Sequence, residues 1–187
     1  MEEIVLLSIE QVINIQKNTL PQGAVVDYNK LVGALNRIQN RQHYENCNGK
    51  FELAALYLTA IAKAHAFVDA NKRTAFISCA TFLRANGIQL QEMTFYLTKL
   101  TVMVATDKVT EKETAILLAL LSDYYTQFTD YQCEFTDEEE CIYYNLAIAM
   151  VLNGNNIKKL KMMAETVKKL LDDGELNVIT KQILERY

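Results

Sequence analysis

A single proline and only six glycines among 187 residues are the features that most constrain the fold of this chain. Sheets and long loops use these two residues at their turns, whereas helices exclude both from their interiors. Half of the residues are apolar, so the chain can bury a sizeable core without disulfides or metals. The composition therefore predicts an all-α fold.

Three capping-box patterns predict where individual helices begin. Each has a Ser or Thr followed three residues later by Gln or Glu, and they start at Ser8, Thr110 and Thr136. Combined with the helical spacing of apolar residues, they predict helices over about residues 9–18, 28–41, 51–65, 73–86, 93–105, 110–125, 136–152, 157–171 and 176–186.

The character of the chain changes near residue 126. The formal net charge is −4, and all of it lies in the residues that follow. Residues 126–135 are aromatic and polar without clear periodicity, which is typical of a linker. We therefore predict a main domain at residues 1–126 and a helical C-terminal extension at residues 127–187.

Charge and hydropathy also exclude classes of partner and location. A net negative chain is not expected to bind nucleic acid in general. No apolar run is long enough to span a bilayer, so no membrane partner is expected. The N-terminus carries Glu2 and Glu3 where a secretory signal needs basic residues, and we expect a cytoplasmic protein.

One polar cluster, residues 65–74, interrupts two apolar helical patterns, and we call it the joint. Residues 70–74 lie where a helix begins, so unpaired N–H groups and the helix dipole favour an anion there. Lys72 and Arg73 add two cations suited to phosphate oxygens. Asp69 is a hard ligand suited to Mg²⁺, and His65 is suited to take a proton from a hydroxyl. The joint therefore predicts a phosphate site.

Each of these residues also has an ordinary structural explanation. A histidine at a helix end is often a dipole partner, an aspartate there is often a cap, and Lys72 and Arg73 could be a solvated pair. Two cations at a helix N-terminus oppose the dipole, however, and an anion should compensate them. The residues alone leave both readings open.

The joint, His-x-Phe-x-Asp-Ala-Asn-Lys-Arg-Thr at residues 65–74, resembles the signature of the Fic/Doc family, specifically its Doc (death-on-curing) branch. Flanking segments are similar as well, so the resemblance extends over about residues 4–126. These segments are Phe51-Glu52, Tyr57-Leu58, residues 82–87 and residues 100–106. The resemblance implies a Fic/Doc-type helical bundle around a central helix-loop-helix site, with residues 1–126 as the catalytic domain.

The resemblance also implies a role for each residue of the joint, with ATP and Mg²⁺ as cofactors. The general base would be His65, the Mg²⁺ ligand Asp69, the phosphate-binding side chains Asn71, Lys72 and Arg73, and the anion-binding backbone that of Ala70 to Thr74. One departure is Ile77, where the best-known Doc pattern has an asparagine, so any nucleotide contact from that position is lost.

The reaction depends on the branch. Typical Fic proteins have glycine at the position of Lys72 and a second arginine at that of Phe76, and they transfer AMP. Doc proteins carry the lysine and transfer the γ-phosphate of ATP to a threonine of elongation factor Tu, which arrests translation. The resemblance thus implies a Doc-like kinase toxin; AMP transfer and a non-catalytic helical interaction protein are the alternatives.

The extension at residues 127–187 has no counterpart in a minimal Doc protein. Its amphipathic spacing predicts helices that pack against the main domain. An alternative is regulation. Doc toxins are restrained by a Phd (prevent-host-death) antitoxin peptide, and a fused acidic helix could shield the basic joint in its place. A separate Phd-like antitoxin is also an expected partner.

Overall fold

The computed structural model describes residues 3–22, 27–128, 137–154, 156–171 and 184–185. Within these ranges the chain is helical, which confirms the predicted all-α class, and the backbone pairing outside helices includes one isolated bridge between Leu90 and Ser122. The helices are α1 (Ile9–Thr19), α2 (Tyr28–Tyr44), α3 (Lys50–Ala64), α4 (Asn71–Ala85), α5 (Thr94–Ala105), α6 (Glu111–Leu120), α7 (Glu138–Asn153) and α8 (Ile157–Leu171), with a short 3-10 turn at Thr126–Phe128.

Helix α3 lies at the centre of the fold. Every residue from Leu53 to Ala62 is buried, as expected for a helix that is apolar on all sides. It packs against α2, α4, α5 and α6. Helix α4 returns beside it, with Tyr57 of α3 stacked on Phe82 of α4 at a centroid distance of 4.9 Å. The joint between α3 and α4 is therefore fixed to the most buried part of the molecule.

The predicted capping boxes at Ser8 and Thr110 are both confirmed. In each, the hydroxyl accepts the N–H of the residue three positions on, and that residue's side chain accepts the N–H of the cap. The third box is wrong in detail, because the N-cap of α7 is Asp137, whose carboxylate accepts the N–H of Glu139. A carboxylate fills the same role as a hydroxyl at this position.

Two predicted boundaries are also wrong. Helix α4 begins at Asn71 rather than at residue 73. Helix α6 ends at Leu120, not at residue 125, because the following chain pairs with another segment: Gln91 donates to the Leu121 carbonyl and the Asp123 N–H donates to the Gln89 carbonyl. The helix predicted over residues 176–186 falls, apart from residues 184–185, outside the described residues.

Helix α8 packs against α5 and α6, and α7 packs against α6 and α8. The buried side chains of α7 and α8, including Leu146 and Val167, belong to the same hydrophobic cluster as α3. Polar contacts add to this packing: Asn145 donates to the Leu120 carbonyl at 2.9 Å, and Lys169 pairs with Glu113. The division at residue 126 stays a prediction. None of the described helices is long and apolar enough to cross a membrane.

Candidate active site

The joint links the C-terminus of α3 to the N-terminus of α4 through two residues with left-handed backbone. His65, which ends α3, has φ 47°, and Ala70, which precedes α4, has φ 61°. Neither residue is a glycine, so each conformation carries a strain on the order of 1 kcal/mol. Such strain persists only where surrounding contacts enforce it, and it is typical of functional sites.

Several hydrogen bonds enforce this geometry. The Asn71 side chain accepts the Phe67 N–H at 3.1 Å and donates to the Phe67 carbonyl at 2.7 Å. The Ala66 carbonyl accepts the N–H of Asp27 at 2.6 Å, which ties the loop to the start of α2. Phe67 itself is buried, so its ring anchors the loop in the core. Asn71 thus shapes the loop with the side chain that was predicted to bind phosphate.

Four polar side chains of the joint lie on the surface, in contrast to the buried ring of Phe67. His65, Asp69, Lys72 and Arg73 are all exposed. Lys72 and Arg73 form no ion pair with any residue that the structure describes. The Asp69 carboxylate likewise forms no ion pair with any of the described cations. All four predicted catalytic residues are therefore on the surface, within the nine residues from His65 to Arg73.

The start of α4 has no side-chain cap. Its N-cap residue is Ala70, and the Asp69 carboxylate accepts the N–H of Ala70 rather than that of a residue inside the helix. The Thr74 N–H donates to the Ala70 carbonyl at 2.9 Å. Fewer N–H groups are therefore free to bind an anion than the five predicted at residues 70–74. Within the described chain, only the N–H groups of residues 71–73 have no acceptor. Asp69 therefore does not cap α4, which is the ordinary role of an aspartate at a helix start.

The chemistry of Asp69 fits Mg²⁺ on a nucleotide. The described residues contain no group of three or more His, Cys, Asp or Glu side chains that could hold a metal. A cation at Asp69 would therefore take most of its ligands from phosphate oxygens and water, which is how Mg²⁺ usually binds with nucleotides. The carboxylate is exposed and forms no ion pair with any of the described cations.

Sequence reasoning missed one residue that contacts the joint, Gln16 of α1. This side chain is fully buried; its amide nitrogen donates to the Asp69 carbonyl at 3.2 Å, and its amide oxygen accepts the Thr74 hydroxyl. The Thr74 side chain is itself fully buried, so any nucleotide contact from this residue would have to come from its backbone. The sequence does contain a signal for the burial of Gln16. It follows the apolar Val12 by four residues, and residues at this spacing lie on the same face of a helix.

Comparison with known proteins identifies the family of this chain. The Fic/DOC family model matches residues 6–83, which include the whole joint. The protein kinase doc of Escherichia phage P1 is 42% identical over 87 residues, covering 46% of this chain and 68% of the phage protein. This chain belongs to the Fic/Doc family, in its Doc branch. Toxin Doc of Mycolicibacterium smegmatis is 50% identical over 40 residues, covering 21% of this chain and 31% of that protein.

Lys72 and Phe76 are the residues from which the resemblance predicted the branch. Lys72 is exposed beside the open N-terminus of α4, where its ammonium group can reach an anion. Phe76 is half-buried and packs against the core, so it offers no positive charge at the place of a second arginine. Ile77 is 37% exposed on the same helix and offers no hydrogen bond from its side chain.

Proposed function

We propose that this Doc-branch protein transfers the γ-phosphate of Mg²⁺-bound ATP to a Ser or Thr hydroxyl of another protein. The observation that carries the proposal is the uncapped N-terminus of α4. Beside it, Lys72 and Arg73 form no ion pair with any described residue, and His65 and Asp69 are exposed at the same joint. The naming of the phage relative as a protein kinase supports the same reaction.

In this reaction, the open amides of residues 71–73 and the two cations would hold the phosphate oxygens. His65 would take the proton of the acceptor hydroxyl as its oxygen bonds to the γ-phosphorus. The bond from that phosphorus to the bridging oxygen breaks, and ADP leaves. Mg²⁺ held by Asp69 would neutralise charge on the phosphates. The side-chain amide of Asn71 would act from a distance, by holding the loop through Phe67.

The family target, elongation factor Tu, is the substrate that we propose, with arrest of translation in the cytoplasm as the consequence. The two relatives are named as a kinase and a toxin, which supports a toxin-antitoxin setting and a Phd-like antitoxin as partner. Transfer of AMP is the other reaction that the fold can support. It is disfavoured here, because Phe76 supplies no positive charge at the position where typical Fic proteins have a second arginine.

A labelling experiment tests the reaction. The full-length protein is incubated with elongation factor Tu and ATP labelled at either the α- or the γ-phosphate. We expect label on the factor from the γ-position alone, and label from the α-position would establish AMP transfer instead. His65→Ala should lower the rate by about 10²–10⁴-fold, as expected for loss of a general base.

The chain offers a matched control for this variant. His43, the other histidine, is exposed in the last turn of α2. We expect His43→Ala to retain the transfer rate of the parent protein. Equal rates for the two histidine variants would rule out His65 as the base.

A further inference from the structure

Gln16 is one of the few polar side chains that are fully buried in the described part of the chain. It is 0% exposed, lies in the second half of α1, and is separated by more than fifty residues from the two groups to which it bonds. A buried amide without hydrogen-bond partners would destabilise the fold. Both the nitrogen and the oxygen of the Gln16 amide are hydrogen-bonded.

The two bonds of Gln16 lie on opposite sides of Ala70. Its amide nitrogen donates to the carbonyl of Asp69, and its amide oxygen accepts the hydroxyl of Thr74. A carbonyl can only accept, so the amide orientation is fixed by Asp69. Ala70, between these contacts, has the left-handed backbone that turns the chain into α4. One side chain of α1 thus holds both ends of the strained turn.

We propose that Gln16 is the positioning residue of the active site, which acts by holding the Asp69–Ala70 peptide in the conformation that presents the Asp69 carboxylate to a nucleotide-bound Mg²⁺. The metal part of this inference rests on the proposed function. Gln16 itself is fully buried and touches neither nucleotide nor protein substrate. Its effect reaches the phosphates through the backbone of Asp69 and the first turn of α4.

The test replaces Gln16 by methionine, which has a similar length and neither donates nor accepts strongly. The first measurement is amide hydrogen exchange in a peptide that covers residues 66–74. Loss of two hydrogen bonds should raise exchange there by at least about tenfold. The second measurement is the Mg²⁺ concentration that gives half of the maximal transfer rate, which we expect to rise several-fold with a smaller change in the rate at saturating Mg²⁺.

A matched control separates positioning from general loss of stability. Asn145 is also a fully buried amide, but it bonds the Leu120 carbonyl between α7 and α6. Asn145→Leu should lower global stability while leaving exchange in residues 66–74 and the Mg²⁺ dependence at parent values. A milder variant, Thr74→Val, removes only one of the two Gln16 bonds and should raise exchange in the same peptide by a smaller factor.

The outcomes are distinct. If Gln16→Met and Thr74→Val leave exchange across residues 66–74 unchanged, or change it no more than Asn145→Leu does, Gln16 does not position the joint. If exchange rises but the Mg²⁺ dependence of transfer stays at the parent value, the link from Gln16 to Asp69 as metal ligand is overturned. If the parent protein transfers nothing from ATP, the proposed function fails, while the exchange measurement still decides the positioning role.

Discussion

Leu146 of α7 provides a direct test of whether the C-terminal helices fold as part of the main core. Its side chain is 0% exposed and lies in the cluster that also contains α3 and α6. Replacing a buried leucine by alanine removes apolar contacts and leaves a cavity, at a cost of about 3 kcal/mol. For a chain of this length, each kcal/mol lowers Tm by about 2–4 °C. We therefore expect Leu146→Ala to lower Tm by about 6–12 °C.

The assay is thermal unfolding followed by far-UV circular dichroism and by tyrosine fluorescence, since the chain has ten tyrosines and no tryptophan. If α7 and α8 belong to one cooperative unit, both probes should give one coincident transition that shifts as a whole. Leu152→Ala is the matched control, because Leu152 lies in the same helix but is 51% exposed. It should change stability by less than about 0.5 kcal/mol. Two separate transitions, with only one of them shifted by Leu146→Ala, would refute this reasoning.

Further predictions concern the surroundings of Tyr57, Gly87 and Asn71. Tyr57→Phe should cost about 1–3 kcal/mol at neutral pH in denaturant titrations, because the buried Leu7 N–H loses its acceptor. Burial also raises the pKa of Tyr57 to about 12, although its hydrogen bond with Leu7 has the opposite effect. The stability of the parent protein should therefore fall as pH rises from about 10 through about 12, and that of Tyr57→Phe should fall less. Gly87→Ala should cost about 1 kcal/mol in the same assay, since φ there is +79° although space is open. Asn71→Ala should raise amide exchange at Phe67 by about tenfold or more, and unchanged exchange would show that the loop is held by other contacts.

The sequence predicts the parts of this fold that depend on neighbouring residues. The capping boxes at Ser8 and Thr110 fix two helix starts through contacts that span three residues, and both are present. The break between α3 and α4 is likewise visible in the apolar pattern, and the exposed charges at the joint follow from it. Local chemistry and local geometry agree at these places.

The features that sequence reasoning missed depend on contacts between distant segments. Helix α6 ends early because residues near Leu121 pair with the chain around Gln89, which no local pattern indicates. The left-handed conformation of Ala70 is not a preference of alanine; Gln16 and Asn71 impose it from outside. Local patterns therefore predict that a helix begins near Ala70, but not the left-handed backbone that precedes it.

The central claim is that the joint transfers a phosphate, and the intact mass of the acceptor tests it most directly. Elongation factor Tu is incubated with the full-length protein, ATP and Mg²⁺, and its mass is compared with that of a sample treated with His65→Ala. We predict a gain equal to one phosphate group that is absent with the variant. A gain equal to one AMP group, or an unchanged mass with the parent protein, would contradict this account.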